Sequence, residues 1–136
     1  MKIKLLLIDD DRISLLIAKK YLSDHCIKEL VEEIIAFTEA EDALKLLKQA
    51  KSDQDQCLFW ILLDVNMPKI NGWEFLKLVE KYKLKNLLKV AMLTSSISEV
   101  DKSTAKSFDT VHGFFTKPLT QEKCEEFKAL INQQTS

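Results

Sequence analysis

Leu58-Phe59-Trp60-Ile61-Leu62-Leu63-Asp64-Val65-Asn66-Met67-Pro68 is the stretch on which the fold turns. Six apolar residues in a row, with no polar alternation, read as a strand covered on both faces, the pattern of a central strand in a parallel sheet. An aspartate closes that strand, and a lone ionised carboxylate there is costly unless it is paired or metal-bound. Asp64 is therefore a candidate functional residue on physical grounds alone.

Similar runs lie on either side. Ile3 to Ile8 is a nearly continuous apolar run ending in Asp9-Asp10-Asp11. Val31 to Phe37 is a weaker strand whose Glu32 and Glu33 favour a place at the sheet edge. Lys89 to Leu93 ends in Thr94-Ser95-Ser96, and a short fifth strand, His112 to Thr116, ends in Lys117-Pro118. Between them lie helical patterns. Ile13, Leu16, Ile17 and Tyr21 recur at steps of three and four, as do Ala40, Ala43, Leu44 and Leu47, and Phe75, Leu78, Val79 and Tyr82. Ser98 to Phe108 reads as a sparsely apolar, loosely anchored helix, and the last helix turns Cys124, Phe127, Leu130 and Ile131 inward. Five strand-helix units in succession imply an α/β fold, a parallel sheet with helices on both faces.

Composition narrows the function classes. The chain has 136 residues, 46% of them hydrophobic, with 20 Lys+Arg against 21 Asp+Glu. One compact domain over residues 1–136 is the natural reading, and disorder is excluded. A net charge of −1 argues against bulk attraction to nucleic acid or to an anionic membrane. The basic stretch Lys77, Lys81, Lys83, Lys85 and Lys89 carries Glu74 and Glu80 within it, a solvated face rather than a nucleic-acid patch. No apolar run approaches a membrane span, and Met1 to Asp11 lacks the small residues of a signal-peptide cleavage site, so a cytoplasmic protein is expected. Cys26, Cys57 and Cys124 are widely spaced and suggest neither a disulfide framework nor a zinc site. With two glycines and two prolines in the whole chain, each should mark a position where the backbone demands it.

In open α/β sheets ligands bind at the carboxyl ends of the strands, where Asp9 to Asp11, Asp64, Thr94 and Lys117 would meet. Carboxylates from two strands facing each other require a cation, and Mg²⁺, which takes oxygen ligands and keeps waters for a phosphate to replace, suits them. A hydroxyl and an ammonium supply donors for an anion, so the set reads as a phosphoryl-handling site. The nucleophile should be a carboxylate, since neither His25 nor His112 stands beside a candidate at a strand end. Asp11 is assigned to a simpler role, as the N-cap of the first helix.

These residues resemble the receiver domain of two-component response regulators over roughly Lys2 to Ile131. The motif set is Asp9-Asp10, Asp64 to Pro68 with Gly72 eight residues after the aspartate, Thr94 thirty residues on, and Gly113 to Pro118. The resemblance implies a flavodoxin-like five-stranded sheet of order 2-1-3-4-5 with five helices. It implies that Asp64 is the phosphoacceptor and that the donor is a phosphohistidine of a sensor histidine kinase or histidine phosphotransfer protein. Asp10, Asp64 and the backbone carbonyl of Asn66 would ligate Mg²⁺, with Asp9 acting through a water. Lys117 and Thr94 would bind the phosphoryl group, and Phe114 would turn inward as the surface of helix four, strand five and helix five changes shape for an unidentified protein target. Phe114 stands where tyrosine is often found, so switching would rest on packing alone, and strand alternation should send Phe115 to the opposite face. Asn66 and Ser96 lack a carboxylate to orient water, so slow or moderate self-dephosphorylation is expected, with no other enzyme activity. Pro68 and Gly72 frame the acceptor loop; Gly113 and Pro118 bracket the strand that delivers Lys117, and the Lys117-Pro118 bond is a candidate for the cis form.

Two alternatives remain open. Asp9-x-Asp11 also looks like the start of a haloacid dehalogenase phosphatase with Asp9 as nucleophile, but only the helical Glu122, Glu125 and Glu126 follow the lysine, and Asp64 is left without a role. A pseudo-receiver would bind partners without phosphorylation. Because the five units consume the chain by about Gln133, a stand-alone receiver, or a receiver segment of a longer chain, is expected, with Met1 favouring the former.

Overall fold

A computed structural model describes residues 2–95 and 98–135, with the side chains of His25 and Cys26 excepted. Five strands, β1 (Ile3–Ile8), β2 (Glu33–Phe37), β3 (Leu58–Leu63), β4 (Leu88–Thr94) and β5 (Val111–Thr116), form one parallel sheet of order β2-β1-β3-β4-β5. Helices α1 (Arg12–Tyr21), α2 (Ala40–Ser52), α3 (Gly72–Lys81), α4 (Glu99–Lys106) and α5 (Gln121–Thr135) connect and follow them. This is the flavodoxin-like arrangement expected from the sequence. β1 and β3 start and stop where the apolar runs do. β2 starts two residues later than the apolar pattern, because the Leu30 and Val31 N–H groups are turned back onto Ile27 O and the ladder begins at Lys4 opposite Glu33.

Strand alternation builds two cores. Leu6, Ile8, Ile61 and Leu63 meet α2 and α3 through Leu44, Leu47, Phe75 and Val79. Leu5, Leu7, Trp60 and Leu62 meet α1 and α5 through Leu15, Ala18, Phe127 and Ile131. Each large apolar side chain fully removed from water contributes about 1.5–3 kcal/mol, so β3, buried from Phe59 onward, is the strand the fold least tolerates losing. Phe114 packs with the first core and Phe115 with the second, as alternation requires.

Three details depart from the sequence pattern. The conspicuous stripe on α1 faces outward: Ile13 and Leu16 are each 69% exposed, and the sheet is met by Leu15, Ala18 and Leu22. A π-helical turn, Leu22–Cys26, continues α1. Cys124 is disulfide-bonded, whereas Cys57 is a buried free thiol. The sequence suggested no disulfide framework, because chain spacing does not reveal that α5 packs on the turn after α1.

The left-handed positions are also unexpected. Gln54 (φ 53°) and Lys83 (φ 57°) adopt them, and no glycine does. Both follow helices in the Schellman pattern: Lys83 N–H donates to Glu80 O and Leu84 N–H to Val79 O, and Gln54 and Asp55 repeat this on Lys51 O and Ala50 O. The glycines serve close approach instead. A Cβ on Gly72 would lie 2.7 Å from the backbone oxygen of Asp64, and one on Gly113 would lie 2.7 Å from Leu130 Cδ2.

Candidate functional site: an acidic pocket bridged by a lysine

β1 and β3 are adjacent and in register, Ile8 opposite Leu63, so the residues after them meet. The Asp9 N–H donates to Phe37 O and the Asp64 N–H to Ile8 O, each at 3.0 Å, which extends the ladder by one residue and fixes both carboxylates at the sheet edge. Asp9, Asp10 and Asp64 each place a carboxylate oxygen within 4.8 Å of the others; Asp9 and Asp64 are buried and Asp10 is exposed. Asp9 Oδ1 accepts from the Asp11 N–H at 2.9 Å and Asp64 Oδ1 from the Asn66 N–H at 3.3 Å. Asp11 caps α1, as expected, accepting from Ile13 N–H and from the Ser14 hydroxyl. The Ser14 hydroxyl and the helix N–H groups hold its carboxyl below the usual carboxylate range.

The opposing charge comes from β5. Thr116 pairs with Thr94 on β4, and the Lys117 N–H donates to Thr94 O at 2.7 Å. The Lys117 ammonium reaches across to Asp9 Oδ2 at 2.6 Å and Asp64 Oδ2 at 3.2 Å. Burial pulls that ammonium's pKa down, but its hydrogen bond to Asp9 and the charges of Asp9 and Asp64 outweigh the loss, leaving it above the ordinary lysine value. Burial pushes the Asp9 carboxyl up, only partly offset by Lys117. Two carboxylates thus share one ammonium with Asp10 close beside them, a donor set that suits a further hard cation. The Lys117-Pro118 bond is cis.

Thr94 supplies a second indication of a missing partner. It is completely buried, and its hydroxyl has no hydrogen-bond partner among the described residues, a state that costs about 1–3 kcal/mol. On the α1 side the carboxylates are closely packed: the space between Asp9, Asp64, Ser14, Leu15 and Leu93 is about 10 Å³, room for one water at most. On the other side a cavity of about 320 Å³ opens between Asp10, Arg12, Thr38, Met67 and Pro68.

The loop after Asp64 is held from α3. Asn71 and Glu74 form a capping box at its start, and the Gly72 N–H donates to Val65 O at 2.9 Å. Trp73 donates from its indole nitrogen to Asp101 at 3.3 Å and stacks on Phe108, tying α3 to α4. Phe114 lines a groove of about 460 Å³ with Val111, Gly113 and residues of α4, away from the carboxylates. Ser96 lies outside the described residues. Sequence reasoning missed Lys123, whose ammonium holds the backbone on both sides of Lys117. A lysine in a first helical turn carries no sequence signal of such a role.

A family model described as the response regulator receiver domain matches residues 5–127. The chain is 28% identical over 121 residues to the uncharacterised transcriptional regulatory protein YcbL of Bacillus subtilis, covering 82% of this chain and 49% of that protein. It is 31% identical over 118 residues to the sensor histidine kinase CheAY of Helicobacter pylori, covering 86% of this chain and 13% of the kinase. The chain therefore spans about half the length of one of these relatives and about an eighth of the other. Its structure superposes on a two-component response regulator from Cytophaga hutchinsonii with a TM-score of 0.79 at 30% identity, covering 97% of this chain and 99% of that one. The acidic pocket, the lysine that bridges it and these matches converge on one conclusion: the chain belongs to the response regulator receiver domain family of two-component signalling.

Proposed function

We propose that Asp64 is the phosphoacceptor of a two-component phosphorelay. A carboxylate oxygen of Asp64 attacks the phosphorus of a phosphohistidine; the P–N bond breaks, its electron pair stays on the imidazole, and an acyl phosphate forms. The observation that carries this reading is the Lys117 ammonium held by Asp9 and Asp64 beside the unpartnered hydroxyl of Thr94. Lys117 is placed to transfer its donors to phosphoryl oxygens, and Thr94 has one donor to give.

The donor set fits Mg²⁺, with Asp10, Asp64 and the carbonyl of Asn66 as ligands and Asp9 acting through a water. The ion supplies neutralisation of charge on the transferring group. The donor is a sensor histidine kinase or a histidine phosphotransfer protein; the CheAY relative is itself named a sensor histidine kinase. Ile13, Leu16 and Ile17 offer such a partner an exposed apolar helix face on the segment that follows the acidic pair.

Output passes through the surface of α4, β5 and α5, with Phe114 as the packing switch, to a protein target rather than to nucleic acid or membrane. Only Ala105 of α4 is buried, so this helix is the least anchored and the first to shift. The protein works in the cytoplasm as a phosphoacceptor without other turnover, and Asn66 leaves self-dephosphorylation slow or moderate. No helix among the described residues is long and apolar enough to cross a membrane.

The test is mass analysis after acetyl phosphate with Mg²⁺. A Mg²⁺-dependent adduct that Asp64→Asn abolishes is expected. Persistent phosphatase turnover in Asp64→Asn would favour a haloacid-dehalogenase-like reaction at Asp9, and absence of any adduct on the wild type would favour a pseudo-receiver.

A further inference from the structure

Lys123 lies in the first turn of α5, six residues after Lys117. Its ammonium donates to Thr116 O at 2.5 Å, to the Thr116 hydroxyl at 3.0 Å and to Pro118 O at 3.3 Å. These three acceptors use all three of its protons, and they flank Lys117 on both sides. Its own N–H is oriented by the Thr120 hydroxyl at 3.2 Å. The Lys117 N–H is meanwhile held by Thr94 O, so the peptide group before Lys117 is tethered to β4 through its N–H and to α5 through the Thr116 carbonyl, and the Pro118 carbonyl beyond it is tethered to α5.

Helix stability does not account for this placement. The first turn of a helix is the positive end of its dipole, where a cation costs about 0.3–1 kcal/mol and a carboxylate would be favoured. Among the described residues the Lys123 ammonium has no carboxylate partner to offset that cost. What it gains is the end of an edge strand: β5 is paired on one side only, and its last carbonyl would otherwise be free to move with solvent.

We infer that Lys123 is a positioning residue for phosphoryl binding: it fixes the backbone from which Lys117 reaches between Asp9, Asp64 and the incoming anion. The inference rests on the phosphoacceptor reading above. Lys117 has a long, flexible side chain, so its aim depends on a fixed base, and a misplacement of about 1 Å in such a group costs up to about 100-fold.

The test compares wild type, Lys123→Met and Lys123→Arg by calorimetric titration with Mg²⁺ alone and with beryllofluoride in saturating Mg²⁺. Lys123→Met is expected to weaken beryllofluoride binding about tenfold while changing Mg²⁺ affinity less than about twofold, because the metal ligands lie on other loops. Lys123→Arg, whose guanidinium can still donate to the carbonyls, is expected to recover most of that loss. Thr116→Val, which removes one acceptor of the three, should lose about two- to threefold and serves if Lys123→Met does not fold. Unchanged beryllofluoride affinity in Lys123→Met, an equal loss for metal and anion, or no recovery in Lys123→Arg overturns the positioning role. Wild type that binds Mg²⁺ but no beryllofluoride overturns the phosphoacceptor reading itself, and the inference with it.

Discussion

Replacing each glycine by alanine should separate two kinds of close approach that look alike by distance. At Gly72 the new methyl would stand 2.7 Å from the Asp64 backbone oxygen, 3.1 Å from Val65 Cα and 3.2 Å from Met92 Cε. Two of these neighbours are main chain of Asp64 and Val65 and cannot rotate away. Overpacking of this kind costs about 1–3 kcal/mol. Separating α3 from the loop also stretches the Gly72 to Val65 hydrogen bond, worth about 1 kcal/mol. Alanine returns about 0.8–1 kcal/mol of this as a better helix former, leaving a net loss of about 1–3 kcal/mol. At Gly113 the methyl meets Leu130 Cδ2 at the same 2.7 Å, but that atom ends a flexible side chain, and the next neighbours are at 3.6 and 3.7 Å. Alanine in a strand gains about 0.5–1 kcal/mol over glycine, so Gly113→Ala should be close to neutral. Urea and thermal unfolding of both variants check this, with a melting temperature lowered by roughly 3–15 °C for Gly72→Ala alone. Acyl-phosphate labelling should slow in Gly72→Ala, since the displaced oxygen belongs to Asp64, the proposed phosphoacceptor. Equal destabilisation by the two alanines would refute the argument that main-chain neighbours decide the cost.

Two further perturbations follow from features the function does not use. Lys83→Gly removes left-handed strain of about 1–2 kcal/mol, and after glycine's larger chain entropy is subtracted the protein should gain roughly 0.5–1 kcal/mol in urea unfolding. Burial, with the charge of Lys89 second, holds the His112 imidazole below its ordinary value of 6.5. Because the folded protein prefers the neutral ring, this contribution is complete above 6.5 and is lost as pH falls through the lower folded value. Stability measured from about pH 7 to pH 5 should therefore decline more steeply in wild type than in His112→Gln, and parallel curves would contradict it.

Most of the architecture is legible in particular residues. The unbroken run from Leu58 to Leu63 places β3 at the centre, and Glu33 marks β2 as an edge. Parallel pairing then forces Asp9, Asp64, Thr94 and Lys117 to one end of the sheet, which is why the pocket can be anticipated from strand ends alone. The outward stripe on α1 was not legible in the same way. Ile13, Leu16 and Ile17 have the period of a core face, but Leu15, Ala18 and Leu22 share it, and periodicity cannot say which of two overlapping stripes meets the sheet.

What the sequence determined by itself is the set of elements, their order and the chemistry delivered to each strand end, because those follow from local patterns of apolar and charged residues. Only the tertiary structure decided how that chemistry is held: Lys117 shared between Asp9 and Asp64, Thr94 left with a hydroxyl unpartnered among the described residues, Lys123 clamping Thr116 and Pro118, and glycine at Gly72 for main-chain clearance rather than for a left-handed turn. Each of these is a distance between atoms far apart in the chain or fixed by the packing of neighbouring elements. Such distances exist only once α5 and the loops have closed on the sheet.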